Sequence, residues 1–307
     1  MIATDIKICG GGYVADISSA HGGTCFRLVH TPTGADLLRT PRDEAHLKEN
    51  VYLFGNPLLF PPNRIVGGRF TFDGREYTLP LNEPATGCHV HGALYAKPFT
   101  VTEQSESAVT LAFHAEAGEY IGFPHAFSFT RTYRADENGL YEEDTVTNLS
   151  DLKMPFLLAY HTTFQLAFLK NSDPTDTCVT LSLGKEEMRN EKFIPTGIFR
   201  APAEREEAFS KGTYAPHGKH LSAFYEVKGD GTAKITDTKA NVTVQYEAAE
   251  EFAYRMLFAT KDGGFFVCEP QTAAIDCFHL AGTPEEHGLI ALAPKESKTL
   301  WTRISVK

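Results

Sequence analysis

Apolar and polar residues alternate with a period of two in segment after segment, as in Val109-Thr-Leu-Ala-Phe113, Phe127-Ser-Phe-Thr-Arg-Thr-Tyr133 and Val242-Thr-Val-Gln-Tyr246. Side chains on a strand point to opposite faces in turn, so each run reads as a strand with one face on a core. Asp73-Gly74, Asn138-Gly139, Asp230-Gly231 and Asp262-Gly263 sit between such runs, where hairpins need residues that tolerate positive φ. Helical pattern is confined to three pieces: Pro41 to Glu49, with Thr40 as N-cap, an acidic stretch near Lys185, and Ala201 to Phe209. Strands follow strands with no βαβ alternation, no Gly/Ser-rich linker and no internal repeat. The expected fold is therefore all-β, one large antiparallel β-sandwich occupying residues 1–307 as a single domain.

Charge narrows the partners. Asp+Glu number 39 against Lys+Arg 29, a net charge of −10, and no basic cluster supplies the face that phosphate binding needs, so nucleic acid is not an expected partner. The most apolar stretches, such as Met154 to Tyr160, fall far short of the ~20 residues that cross a bilayer. No secretory signal is visible at the start, and six cysteines at irregular spacing fit free thiols, so a cytoplasmic protein is expected. Gly10-Gly11-Gly12-Tyr13-Val14-Ala15 formally fits a dinucleotide-binding loop, but Ser18-Ser19-Ala20-His21-Gly22-Gly23 follows where a helix would have to open, so a turn is expected instead.

Five positions carry the candidate chemistry. His89-Val90-His91, at i, i+2 on a strand, points both imidazoles to one face, which suits either a cupin-like metal site or hydrogen-bonded structural histidines. No acid follows before Glu103 to complete a ligand set. His161 ends the apolar run Met154 to Tyr160, where partial burial would move its pKa across neutrality. The buried-looking strand Gly263 to Cys268 runs directly into Glu269, a charge that must be paired or put to use there. Arg64 precedes the strand Arg69 to Phe72 and could donate two hydrogen bonds to hydroxyls or acids.

Taken in order, these pieces resemble the aldose 1-epimerase family over almost the whole chain. The resemblance begins with Asn63-Arg64-Ile65-Val66-Gly67-Gly68-Arg69-Phe70, Asp73-Gly74, Tyr77-Thr78-Leu79 and His91-Gly92. It continues through Pro124, Phe127-Ser128-Phe129, Asn138-Gly139-Leu140, Val146-Thr147-Asn148, Met154-Pro155 and His161-Thr162-Thr163-Phe164. Glu269-Pro270-Gln271-Thr272 and Leu292-Ala293-Pro294-Lys295-Glu296-Ser297 close it. It implies a large twisted antiparallel sandwich that binds a monosaccharide in a cleft on one sheet, as monomer or homodimer, with no metal or organic cofactor. His161 would be the general acid on the ring oxygen and Glu269 the base on the anomeric hydroxyl. Arg64 and His91 would hold sugar hydroxyls, with His89 and His125, strand neighbours of matched positions, lining the same cleft. Opening a hemiacetal removes a proton from O1 while another reaches O5, so ionised Glu269 and protonated His161 are the expected states. Many family members carry an aspartate in the region of His220-Leu221-Ser222-Ala223-Phe224-Tyr225, and this chain has none there. The resemblance leaves three activities to weigh: an epimerase of free aldohexoses such as glucose or galactose, an epimerase of hexose 6-phosphates, and a non-catalytic carbohydrate-binding module.

Overall fold

A computed structural model describes residues 4–307. Two eight-stranded sheets carry most of the strands. The first orders its strands Thr100–Gln104, Ala108–Ala115, Phe127–Asp136, Gly139–Asn148, Ser297–Val306, Val242–Ala248, Ala233–Asp237 and Thr177–Thr180. The second runs Pro195–Arg200, Leu183–Arg189, Leu221–Val227, Tyr254–Ala259, Phe265–Gln271, Ala159–Tyr160 and Leu58–Leu59, with Thr162–Gln165 also paired to Phe265–Gln271. Neighbouring strands are antiparallel, as hairpin-connected alternation dictates.

Phe127–Asp136 shows the expected pattern, with Phe127, Phe129, Tyr133 and Ala135 buried and the residues between them more open. The two sheets meet through such inward faces. Phe164 of the second packs on Tyr246 of the first with ring centroids 5.3 Å apart, and the Thr162 and Tyr246 hydroxyls are hydrogen-bonded at 2.8 Å. Arg131 lies on the same inward face as the phenylalanines and is matched there by Glu142 and Asp144 from the next strand. At the predicted hairpin, Asp73 (φ 50°) and Gly74 (φ 73°) join Arg69–Phe72 to Arg75–Thr78.

Helix departs from expectation in two places. The first helix spans only Glu44–Glu49, and its N-cap is Asp43, whose carboxylate accepts from the His46 N–H at 2.8 Å. Thr40 instead donates to the Phe26 carbonyl. The acidic stretch near Lys185 is a strand, Leu183–Arg189, paired on both sides. Its Glu186 is neutralised by Arg200 and Arg205, partners too distant in sequence for the local acidic pattern to disclose. The third piece is helical over Glu204–Ser210, with the Glu206 carboxylate accepting from the Ala203 N–H. Among the described residues, no helix is long and apolar enough to cross a membrane.

Candidate active site

A cavity of about 540 Å³ opens on the second sheet, a volume that suits a small ligand. Its floor comes from successive strands of that sheet: Ser222, then Met256 and Phe258, then Glu269. Its walls come from the segment Asn50 to Leu53, from Asn63 and Arg64, from His91, from His161 and from Phe193.

Glu269 lies in Phe265–Gln271, a seven-residue strand of the second sheet that is buried at every position, so period-2 alternation is invisible there. The strand is flanked on one side by Tyr254–Ala259 and on the other by Thr162–Gln165 and Ala159–Tyr160. Gln271, two residues on and therefore on the same face, donates its amide N–H to Glu269 Oε1 at 2.7 Å. The other oxygen, Oε2, stands 3.9 Å from His161 Nε2. His161 occupies the break between two short strands, where its backbone N–H donates to the Pro57 carbonyl at 3.0 Å. Among the described residues its buried Nδ1 has no hydrogen-bond partner.

Burial dominates the electrostatics of the pair. It pushes the Glu269 carboxyl up to about 8, against the opposing pull of the Gln271 hydrogen bond and the Arg64 and Arg189 charges. It pushes His161 down to about 4, against the pull of the nearby His161 and Tyr52 backbone carbonyls, which favour the protonated ring. Both shifts run against the expected ionised Glu269 and protonated His161, because enclosure favours the neutral form of each group. A neutral acid beside a neutral imidazole avoids the cost of two poorly solvated charges, and the pair still holds one proton.

Arg64 is clamped by Glu83, whose two oxygens accept from Nε and Nη2 at 2.7 Å each. His91 Nδ1 accepts from the Asn63 N–H at 3.3 Å, which places the proton of the neutral ring on Nε2 and makes that nitrogen a donor. Burial and the neighbouring His161, Arg64 and His89 hold His91 well below the ordinary histidine range. Tyr52 leans on His91 with ring centroids 4.6 Å apart.

His89 and His91 do not share a face. Their strand ends at Val90 and His91 turns into the left-handed region at φ 64°, so the period-2 rule stops one residue early. Gly92 continues the turn, and a Cβ there would sit 1.8 Å from the Phe60 carbonyl oxygen. His91 lines the cavity, whereas His89 is buried behind it with Nδ1 donating to the Pro80 carbonyl at 2.7 Å. His125 is also buried away from the cavity, bonded to the Tyr77 hydroxyl at 2.8 Å and to Ser150 at 3.0 Å. Among the described residues, no three His, Cys, Asp or Glu side chains are gathered so as to hold a metal ion.

The sequence model described as Aldose 1-epimerase matches residues 5–305. The chain belongs to the aldose 1-epimerase family. It is 30% identical to a galactose mutarotase of Rattus norvegicus over 182 residues, 59% of this chain and 52% of the rat protein. That match therefore spans about half the length of the rat relative. Similarity to the uncharacterised protein YphB of Escherichia coli is longer, 25% over 79% of this chain and 80% of that one. A galactose mutarotase-like protein from Clostridium acetobutylicum has the same fold at a TM-score of 0.92 and 28% identity, over 98% of this chain and 94% of the other. A galactose mutarotase-like protein from Lactobacillus casei, at 18% identity and TM-score 0.70, shares the fold over 98% and 99% of the two chains. The architecture described above is thus the all-β galactose mutarotase-like fold.

Of the six positions that the sequence nominates within this family frame, four meet in one cavity: Arg64, His91, His161 and Glu269. Ser222 lines the cavity from the segment where the usual aspartate is missing, and its carbonyl and hydroxyl accept from Arg189 Nη2 at 2.6 and 3.2 Å. Tyr52, Glu83 and Phe193 reach the site with no motif to announce them. Gln271 was open to inference, because two residues beyond Glu269 on a strand means the same face.

Proposed function

We propose that this protein is an aldose 1-epimerase that interconverts the α and β anomers of a free aldohexose such as glucose or galactose. The observation that carries this reading is the His161 to Glu269 separation of 3.9 Å, across one cavity whose walls also hold Arg64 and His91. An acid and a base side by side, with hydrogen-bond donors around them, are what opening a hemiacetal requires. Sugar binding alone requires neither, which favours an enzyme over a carbohydrate-binding module.

Sugar hydroxyls donating to the Glu269 carboxyl favour its ionised form and shift the shared proton to His161. Glu269 then takes the proton from the anomeric hydroxyl while His161 delivers one to the ring oxygen, and the C1–O5 bond breaks. Rotation about C1–C2 presents the other carbonyl face. O5 attacks it, His161 recovers its proton, and Glu269 returns one to O1, so each cycle leaves the pair as it began. Arg64, held rigid by Glu83, and His91 Nε2–H orient hydroxyls through these steps.

Polarimetry on freshly dissolved α-glucose and α-galactose, in weak buffer at pH 7, tests the proposal. Faster relaxation than the blank supports it, and acceleration of hexose 6-phosphates alone would replace it with the phosphosugar activity. Dialysis against a chelator is expected to leave the rate unchanged, since His89 and His91 do not converge. The pH profile of kcat/KM follows from the one-proton state. Below about 4 the pair gains a second proton on His161 and loses its base, and above about 8 it loses the last proton and with it the acid. The expected profile is a bell with limbs near these values, and a rate still rising at about pH 9 contradicts it.

A further inference from the structure

The strands Leu183–Arg189 and Pro195–Arg200 form a hairpin whose tip brings Phe193 into the wall of the cavity. Three features separate this residue from ordinary surface phenylalanines. First, its backbone lies in the left-handed region at φ 60°, where a bulky aromatic residue is an outlier. Second, the tip is built to hold that conformation. Asn190 Oδ1 accepts from the backbone N–H groups of Lys192 and Ile194 at 2.9 and 3.1 Å, and the Asn190 carbonyl accepts from the Phe193 N–H at 2.9 Å. Third, the residue is 41% exposed and its ring rests against two cations instead of an apolar core: the Arg64 guanidinium lies 4.9 Å from the ring centroid and that of Arg189 5.8 Å. Strain held in place by surrounding bonds at the edge of a ligand cavity calls for a functional account.

Opposing chemistry in the cavity supplies one. Glu269, His161 and His91 present proton donors and acceptors, whereas Phe193 presents apolar surface in the same space. A pyranose is divided in the same way, with a rim of hydroxyls and a face of C–H groups. We infer that Phe193 is a substrate-holding residue that packs against the C–H face of the bound sugar, and that Asn190 is the positioning residue that aims it. The contact is made in ground state and transition state alike, so it governs KM more than kcat. This inference rests on the proposed action on a free hexose.

The test combines galactose and glucose kinetics with calorimetric titration of the same two sugars, on wild type and on variants at the tip. Phe193→Ala is expected to raise KM and the dissociation constant about ten-fold, with kcat within about two-fold of wild type. Phe193→Trp, which keeps an aromatic surface, stays within about three-fold in KM. Asn190→Ala weakens binding in the same sense, and Asn190→Asp, which keeps the accepting oxygen, restores it. Ile198→Ala, at a 63% exposed position of the same hairpin that does not line the cavity, is the folding control and leaves both constants unchanged. An unchanged KM in Phe193→Ala overturns the inference, as does a fall in kcat alone, which would assign the ring to bracing Arg64. Should wild type neither bind nor turn over either sugar, the proposed function falls and this inference with it. An active wild type with an indifferent Phe193→Ala sinks only the latter.

Discussion

Glu269→Gln is expected to lower kcat by about 1,000-fold while making the folded protein more stable. The activity loss follows from the chemistry. Glutamine has nearly the same shape, and its amide oxygen can still accept the Gln271 hydrogen bond, but it cannot take a proton from O1. Proton transfer by a positioned group contributes roughly 10² to 10⁴-fold, and that contribution goes entirely. The stability gain follows from burial. Glu269 is 1% exposed, and burial pushes its carboxyl from the ordinary 4.5 up to about 8 in the folded chain. A folded-state pKa above the unfolded one means that folding favours the protonated form. The associated stability is present below about 4.5 and is lost progressively as pH rises toward 8, by an amount on the order of a few kcal/mol. Glutamine does not ionise, so the variant avoids that loss. Scanning calorimetry should find the two proteins close at pH 5 and the variant increasingly ahead toward pH 9. Polarimetry in weak buffer reads the other half, and retention of more than about a tenth of the wild-type rate would remove Glu269 from the base role.

The same residue shows why much of the site could be read before the structure. An apolar run that ends in a carboxyl group implies a buried titratable group whatever the fold, and Glu269 is such a group. His161 was exposed by the same logic, and the hairpin turns by their Asp-Gly pairs. What stayed hidden depends on tertiary contacts. His89 and His91 separate because the strand stops at Val90, a boundary decided by the Gly92 backbone lying against Phe60, far away in sequence. The stretch around Lys185 looks helical by its acids, yet Arg200 and Arg205 neutralise Glu186 across a hairpin and a following helix. Phe193 sits in a hairpin tip that no motif marks, and only the length and direction of the flanking strands carry it to the cavity. The opposite pKa shifts of Glu269 and His161 likewise come from enclosure, which no spacing rule reports.

Arg131→Met should destabilise the fold by about 3 to 5 kcal/mol and slow the reaction as well, although Arg131 does not line the cavity. Arg131 is fully buried on the inward face of Phe127–Asp136, directly across from Asp144, with Tyr133 across from Glu142. Its Nη2 donates to Glu142 and its Nε stands 3.7 Å from Asp144, while Nη1 and Nη2 also donate to the Gly22 and Asn56 carbonyls at 2.8 and 3.2 Å. Burial raises both carboxyls, and the arginine charge is what holds them down. Methionine would fill the space but leave two acids buried without their cation, the costliest way to break such a cluster. The sign with pH is fixed: without Arg131 both acids hold their protons still more tightly in the folded chain, so the variant's deficit must grow as pH rises. The cluster also anchors the cavity wall that carries His161. Asn56 donates to Glu142 at 2.5 Å and directly precedes Pro57, whose carbonyl accepts the His161 N–H, and the Tyr160 hydroxyl donates to Asp144 at 2.7 Å one residue before His161. Denaturant titrations at pH 6 and pH 8, paired with kcat, check both halves. Replacing Glu142 by Gln in the Arg131→Met background should recover part of the stability by removing one orphaned acid, and a cost below about 1 kcal/mol for Arg131→Met alone would show that the cluster does not hold the fold together.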